Sequence, residues 1–340
     1  MLVRSHDNCS RLQSYLPKIL GQEYGTFEVL VVVEQDTDGT CGMLETLELA
    51  HKNLRHITLP KETRMITSEQ MAYSLGMRAA RYEWVLLTYA DCFPVSDRWL
   101  AAMAQWCQDD TDVVGGMVNY ENDHTGSEVP FMRVWRLMSS FSLSRWTGYL
   151  YRTDTCNVVV RRSTFLNGEA LREFVVVRSG AMELWANKQK RTAVARDPEA
   201  LVLQRMQGGD RWYEAMTQQW MYNRRLMKNR WLYRMLFAWE AMVGMLALVL
   251  LAAAEVAVMV FGEKYLPTVG NRWAMYFIPL LIYIIYAIVS VSRFNKQARR
   301  YGDMKFTFSA WWYRLIFPCK WLFRWLRFVT TNSRVFKPVV

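Results

Sequence analysis

A doubly wound α/β sheet over the first two hundred residues, followed by a membrane-associated helical region, is the architecture the sequence predicts. Three observations predict it. Short β-rich runs alternate with amphipathic stretches as strand, helix, strand, helix, strand. Two of those runs, "FEVLVVV" and "WVLLTYA", are continuously apolar, as in strands buried on both faces. Two much longer apolar runs follow in the last third of the chain.

The elements can be justified in order. "MLVRS" reads as a clipped strand, and "CSRLQSYLPKILGQ" sets Leu12, Tyr15, Leu16, Ile19 and Leu20 at helical spacing on one face. "FEVLVVV" is the next strand, "EQDTDGT" its turn and "CGMLETLELAHK" the helix after it. "HITLP" is a short strand, "TSEQMAYSLGMRAAR" a helix with Ser68 placed as its N-cap, and "WVLLTYA" a third long buried strand. Ligands of such sheets sit outside the carboxyl ends of the strands. Glu34, Asp36, Asp38 and Asp91 all fall there.

The net charge of +11 admits nucleic acid or an anionic membrane. The basic residues thicken in the last third, interleaved with Trp, Phe and Tyr, and flank the apolar runs, which selects the membrane. Six cysteines are scattered without a CxxC or a Cys/His cluster, so neither a zinc site nor a disulfide framework is indicated, and the α/β part reads as cytosolic. No GxGxxG follows the first strand, which sets aside a dinucleotide-binding oxidoreductase.

"LFAWEAMVGMLALVLLAAAEVAVMVF" and "WAMYFIPLLIYIIYAIVSVS" each meet the requirement of about 20 residues for a membrane span. With only "GEKYLPTVGNR" between them, they read as a transmembrane helical hairpin. Arg224, Arg225, Lys228, Arg230 and Arg234 precede it, and Arg293, Lys296, Arg299 and Arg300 follow it, whereas the loop holds just Lys264 and Arg272. The positive-inside rule places both flanks in the cytoplasm. Glu255 lies near the far interface, where a carboxylate reaches water, and carries no functional claim. "SAWWYRLIFPCKWLFRWLRF" is basic, aromatic and bent at Pro318, as expected of an amphipathic helix lying in the headgroup layer. The expected organisation is an α/β domain over 1–222, a basic linker over 223–235, the hairpin over 236–292 and a membrane-surface tail over 293–340.

Three stretches, in this order and spacing, resemble family 2 glycosyltransferases, the inverting nucleotide-sugar enzymes of the GT-A fold. They are "LPKILGQEYGTFEVLVVVEQDTDGT", "AYSLGMRAARYEWVLLTYADCFPVSDRWL" and "YRTDTCNVVVRRSTF". The shape is closest to bacterial members ending in a membrane hairpin. The resemblance implies a nucleotide-binding rim of Ser5, His6, Glu34, Asp36 and Ala90. It also implies Asp91 as the ligand of Mg2+ or Mn2+, and Asn157 as an acceptor or phosphate contact. A divalent cation on a diphosphate needs oxygen ligands, typically one or two carboxylates with phosphates and water. Asp38, followed by Gly39, reads instead as a turn former.

This chain departs from the family pattern at several places. The first aspartate of Asp-x-Asp is Tyr89, the arginine and asparagine before the glycine of the second motif are Tyr73 and Ser74, and the Glu-Asp pair that supplies the base is Ala181 and Met182. Glu183, next in line, is the implied catalytic base. "QGGDRW" stands near the family's QxxRW, one residue too long, with Arg211 and Trp212 placed to pair with a phosphate and stack on a sugar, or to anchor the domain at lipid. Met1 enters the first strand partway, so either the chain begins upstream or neighbours cover a short strand. The implied function is transfer of a sugar from a nucleotide diphospho-sugar to a lipid-linked or surface-polysaccharide acceptor, at the cytoplasmic face of a bacterial inner membrane. The alternative is a weakened GT-A scaffold that binds nucleotide or other glycan-assembly enzymes.

Overall fold

The computed structural model describes residues 1–60, 68–121, 155–167, 180–205, 246–261 and 272–300, with single helical positions at 311, 312, 316, 322, 323, 326 and 330. The chain packs as two units, residues 1–230 with 333–340, and residues 231–332.

The first unit opens with β1 (Leu2–Ser5), α1 (Cys9–Leu20), β2 (Val29–Val33), α2 (Thr40–Ala50), β3 (Leu54–Thr58), α3 (Ser68–Ala79) and β4 (Trp84–Tyr89). This is the expected alternation, and β3, β2, β1 and β4 lie side by side, all parallel. Alternate residues face opposite ways along each strand. Val3, Val31, Val33 and Leu86 pack with Leu12, Leu16 and Ile19 of α1 on one side. Leu2, Leu30, Val32 and Leu87 pack with Tyr73 and Met77 of α3 on the other. Both faces of β2 are buried, which is why its sequence is an unbroken apolar run.

Beyond β4 the topology is mixed. β5 (Cys92–Pro94), α4 (Trp99–Ala104), β6 (Val113–Gly115) and β7 (Val118–Tyr120) precede β8 (Val158–Arg161), which inserts antiparallel between β4 and β6. After α5 (Arg162–Asn167) and α6 (Ala181–Lys188), β9 (Thr192–Val194) completes the seven-stranded order β3-β2-β1-β4-β8-β6-β9. β10 (Val202–Gln204) joins β5 and β7 in a separate three-stranded sheet.

Gly76 decides how closely α3 sits on the large sheet. A Cβ there would stand 2.2 Å from Leu2 Cδ1 and 3.2 Å from Val32 Cγ2, so the absence of a side chain is what permits the contact.

The second unit contains α7 (Leu246–Phe261) and α8 (Arg272–Arg300) among its described residues. Within α8, Phe277–Lys296 is the one described helical stretch long and apolar enough to cross a membrane; α7 is apolar but shorter. Phe277, Ile282 and Ile288 of α8 are exposed. Residues 236–245 of the expected first span lie outside the described residues, as do most positions of the expected interfacial helix. Of the latter, Trp312, Leu322, Phe323 and Leu326 are helical and exposed.

Candidate active site

The strand order sets the place. β1 is followed outward by β2 and β3 on one side, and β4 lies on its other side, so the chain switches direction between β1 and β4. A crevice at the carboxyl ends of the strands is expected at that switch.

Two loops at these ends are laced together by short carboxylates. Asp7, in the left-handed region at φ 45°, accepts a hydrogen bond from Thr37 N–H at 2.9 Å, and Asn8 donates to the His6 carbonyl at 2.7 Å. Asp38 accepts from Cys9 N–H at 2.7 Å, at the start of α1, and from Thr40 N–H at 3.2 Å and Thr40 Oγ1 at 2.6 Å, at the start of α2. Asp36 accepts from Cys41 N–H at 3.3 Å. The turn-forming role expected of Asp38 is therefore visible, and Asp36 does the same work one turn earlier.

Burial acts to raise the Asp38 carboxyl, but the bonds from Cys9 and Thr40 outweigh it and hold the group below its ordinary range. A carboxylate depressed in the folded state stabilises above its unfolded pKa and loses that contribution as pH falls through the folded one. Asp38→Ala is accordingly expected to cost about 1 kcal/mol at neutral pH, as a helix cap does. Urea unfolding should show the difference shrinking in acid.

Arg4, near the end of β1, is the centre of the site's electrostatics. Its Nε and Nη2 donate to the two carboxylate oxygens of Glu34, and its Nη1 stands 3.8 Å from Glu69 of α3. Burial works against its charge, but Glu69 and Glu34 prevail and hold the guanidinium well above its ordinary value. Its Cζ lies 5.4 Å from the Tyr89 ring centre. Tyr89 O–H is hydrogen bonded with Thr155 and accepts from Tyr73 O–H at 3.3 Å. Burial, foremost, pushes both phenols above their usual range and keeps them neutral.

Glu34 was expected on the nucleoside. Its carboxylate is instead covered, 1% exposed, gripped by Arg4 and 3.9 Å from His6 Nδ1, so it meets a ligand only through Arg4 and His6. Ser5 is buried with an unpartnered hydroxyl, and buried Ala90 donates its N–H to the Arg4 carbonyl at 2.9 Å.

Asp91 follows β4 directly. Rather than projecting from the rim, its side chain is largely covered, the residue being 6% exposed. Cys92 Sγ lies 3.4 Å from Oδ1, and Gln204 Nε2 donates to Oδ2 at 3.3 Å. Burial pushes the carboxyl up. Among the described residues no cluster of three His, Cys, Asp or Glu side chains forms a metal cage. One carboxylate still fits Mg2+ or Mn2+ where substrate phosphates and water complete the shell; Tyr89, a neutral phenol, adds no ligand.

On the acceptor side, Asn157 is fully buried and its amide is committed inside the domain. It donates to the carbonyls of Met117 and Ala200, both at 2.7 Å, and accepts from Trp99 Nε1 at 3.0 Å. That removes it as the ligand contact expected from its motif. Glu183 lies in the first turn of α6, half-buried, while Ala181 and Met182 are core residues packed with Tyr73 and Phe165. Glu69 accepts from Gly180 N–H at 3.0 Å and so ties the start of α6 to that of α3. Arg211 and Trp212 lie outside the described residues.

The sequence reading missed Arg4 and Glu69. A charged residue inside "MLVRS", whose strand is flanked on both sides by other strands, was the available signal, since such a residue demands a buried counter-ion.

A mostly parallel sheet, a switch point carrying a strand-ending aspartate and a second small sheet make a mixed α/β fold of the GT-A type. Residues 3–166 match the model of glycosyl transferase family 2, which supports reading this domain as a family 2 glycosyltransferase. No curated protein sequence matches it. Among solved structures, it is similar to the mannosyltransferase PcManGT from Pyrobaculum calidifontis in complex with GDP-Man and Mn2+, with TM-score 0.52, 18% identity, and coverage of 85% of this chain and 86% of that one. S. aureus TarS 1-349 in complex with UDP follows at TM-score 0.46, with 13% identity and coverage of 94% and 91%.

Proposed function

We propose that this chain is a membrane-anchored, inverting glycosyltransferase that moves one sugar from a nucleotide diphospho-sugar to a lipid-linked glycan or surface-polysaccharide precursor. The cytoplasmic face of a bacterial inner membrane is its place. The observation that carries the reading is Asp91 at the end of β4, beside the switch point of a family 2 domain. The apolar stretch Phe277–Lys296 supports the anchor.

In this mechanism Asp91, with the donor's phosphates, would hold Mg2+ or Mn2+. Such a cation withdraws charge from the departing nucleoside diphosphate. The acceptor hydroxyl displaces that group in one step, its oxygen bonding to the sugar carbon as the sugar–phosphate bond breaks on the opposite face. Glu183 takes the hydroxyl proton. His6 is the contact proposed for the nucleoside, and Arg211 and Trp212 are the acceptor contacts proposed from their motif position alone.

A second reading, a nucleotide-binding scaffold without turnover, is favoured by Tyr89 and by the burial of Ala181 and Met182. Thermal unfolding of the detergent-solubilised chain with UDP, GDP, CDP, ADP and dTDP, each with and without Mn2+, tests the donor site. A ligand that binds only the folded state raises its melting temperature, by roughly 2.7 kcal/mol of stability at a hundred times its Kd. At least one nucleotide is expected to stabilise, more strongly with Mn2+. No response to any of them overturns both readings; binding without sugar transfer across a donor panel with lipid extract as acceptor supports the scaffold.

A further inference from the structure

We infer that Arg4 binds the diphosphate of the donor, its guanidinium edge facing the ligand while Glu34 and Glu69 hold it from behind. This rests on the nucleotide-donor reading of the rim.

Arginine has no ordinary place in this strand. β1 lies between β2 and β4, and Arg4 is level with Val32 on one side and Tyr89 on the other. A guanidinium there without counter-charge would be very costly. Glu34 and Glu69 supply that counter-charge, and the exposures of the four side chains are ordered. The side chains of Glu34 and Glu69 are 1% and 4% exposed, that of Arg4 22% and that of His6 36%. Within this cluster the carboxylates are inside, and the guanidinium and the imidazole are outside. The outermost formal charge of the cluster is that of the Arg4 guanidinium, although the cluster as a whole is not positive.

The donor inventory points the same way. A guanidinium carries five N–H groups. Here Nε and Nη2 serve Glu34, whereas Nη1 has the Glu69 oxygen at 3.8 Å, beyond hydrogen-bond range. A flat edge with donors to spare matches phosphate oxygens, which take paired bonds from arginine. The group is also held in one pose by the two carboxylates and the Tyr89 ring, so little side-chain freedom is lost on binding. A ligand charge is there to be met: with Tyr89 at the end of β4, Asp91 is the one carboxylate through which that strand can recruit a cation to a diphosphate. Glu34 and Glu69 act through Arg4 and are positioning residues.

The test is calorimetric titration of the full detergent-solubilised chain with the nucleoside diphosphate that stabilises it most, and with the matching nucleoside, in Mn2+ and in EDTA. Arg4→Lys keeps a charge beside Glu34 and Glu69 but loses the paired edge. The double variant Arg4→Met with Glu34→Gln removes cation and nearest counter-ion together, so that Glu34 is not left charged and alone. Both are expected to weaken the diphosphate about tenfold or more, as for lost charge-assisted bonds, in Mn2+ and in EDTA alike, and to leave the nucleoside unchanged. Unchanged diphosphate affinity in a variant with wild-type circular dichroism overturns the assignment. Equal losses for nucleoside and diphosphate overturn it too, by placing Arg4 on the base. If the unmodified chain binds no nucleotide, the donor-site reading fails and this inference with it.

Discussion

Asp91→Asn is expected to lower sugar transfer by about a hundredfold or more, the scale of losing a group that stabilises developing charge, and to remove the Mn2+-dependent part of nucleotide binding. It is expected to do so without weakening the fold. The Asp91 carboxyl is largely covered, and burial raises its pKa. For an acid raised in the folded state, the native chain holds more protons than the unfolded one, so stability declines as pH climbs from the ordinary carboxylate range through the raised value. Asparagine cannot ionise and escapes that penalty, and its amide can still bond Gln204. The variant should therefore melt no lower than the parent at neutral pH without ligand, and the two melting curves should converge in acid. A group kept in place at a cost to stability is the pattern expected of a site selected for chemistry. Nucleotide titration in Mn2+ against EDTA, beside thermal unfolding from pH 4 to 8, reads both halves; full metal-dependent binding by the asparagine variant would remove Asp91 from the mechanism.

Asn157→Ala is expected to have the largest effect on stability, about 3 kcal/mol. Two buried groups, the Trp99 indole N–H and the Ala200 carbonyl, would lose the partner seen here, while the Met117 carbonyl keeps the Val202 N–H, and a stranded buried donor or acceptor costs about 1–3 kcal/mol. Relaxation recovers some of the sum, which keeps the figure inside the range of severe single substitutions. A domain with about 5–15 kcal/mol to lose would be left marginal. The site does not relax freely, because a Cβ at Gly116 would already sit 2.3 Å from Asn157 Nδ2. Urea unfolding should show a lowered midpoint with unchanged slope. Whatever fraction remains folded should bind nucleotide as the parent does, which separates a structural amide from one that touches substrate.

The contrast between Asn157 and Asp91 shows what the chain discloses and what it withholds. The stripe of Leu12, Tyr15, Leu16 and Ile19 named the buried face of α1, and the apolar runs named β2 and β4, because periodicity and burial are two views of one constraint. The antiparallel insertion of β8 and the small sheet of β5, β10 and β7 were not legible. Strands of three or four residues are too short to show a period, and their partners lie far away in the chain, as Gln204 does from Cys92. At the site, motif position pointed to the carboxyl at the end of β4 but not to its cover, since Gln204 arrives from β10. The same reasoning put Asn157 on a ligand, because an amide bonded to three distant internal groups looks, in one dimension, like an amide waiting for a substrate. Arg4 was passed over for the converse reason: its two counter-charges come from β2 and α3, and only the fold assembles them.

The seating of α3 on the large sheet makes residue 76 a calliper. Glu69 and Gly76 are seven residues apart, about two turns of one rigid rod. A single carbon added where none exists would prise the rod off Leu2 and swing its far end, and Glu69 with it, away from Arg4. The grip on a guest at the crevice mouth is thereby gauged by the thickness of an empty spot two turns further along the same face of the helix.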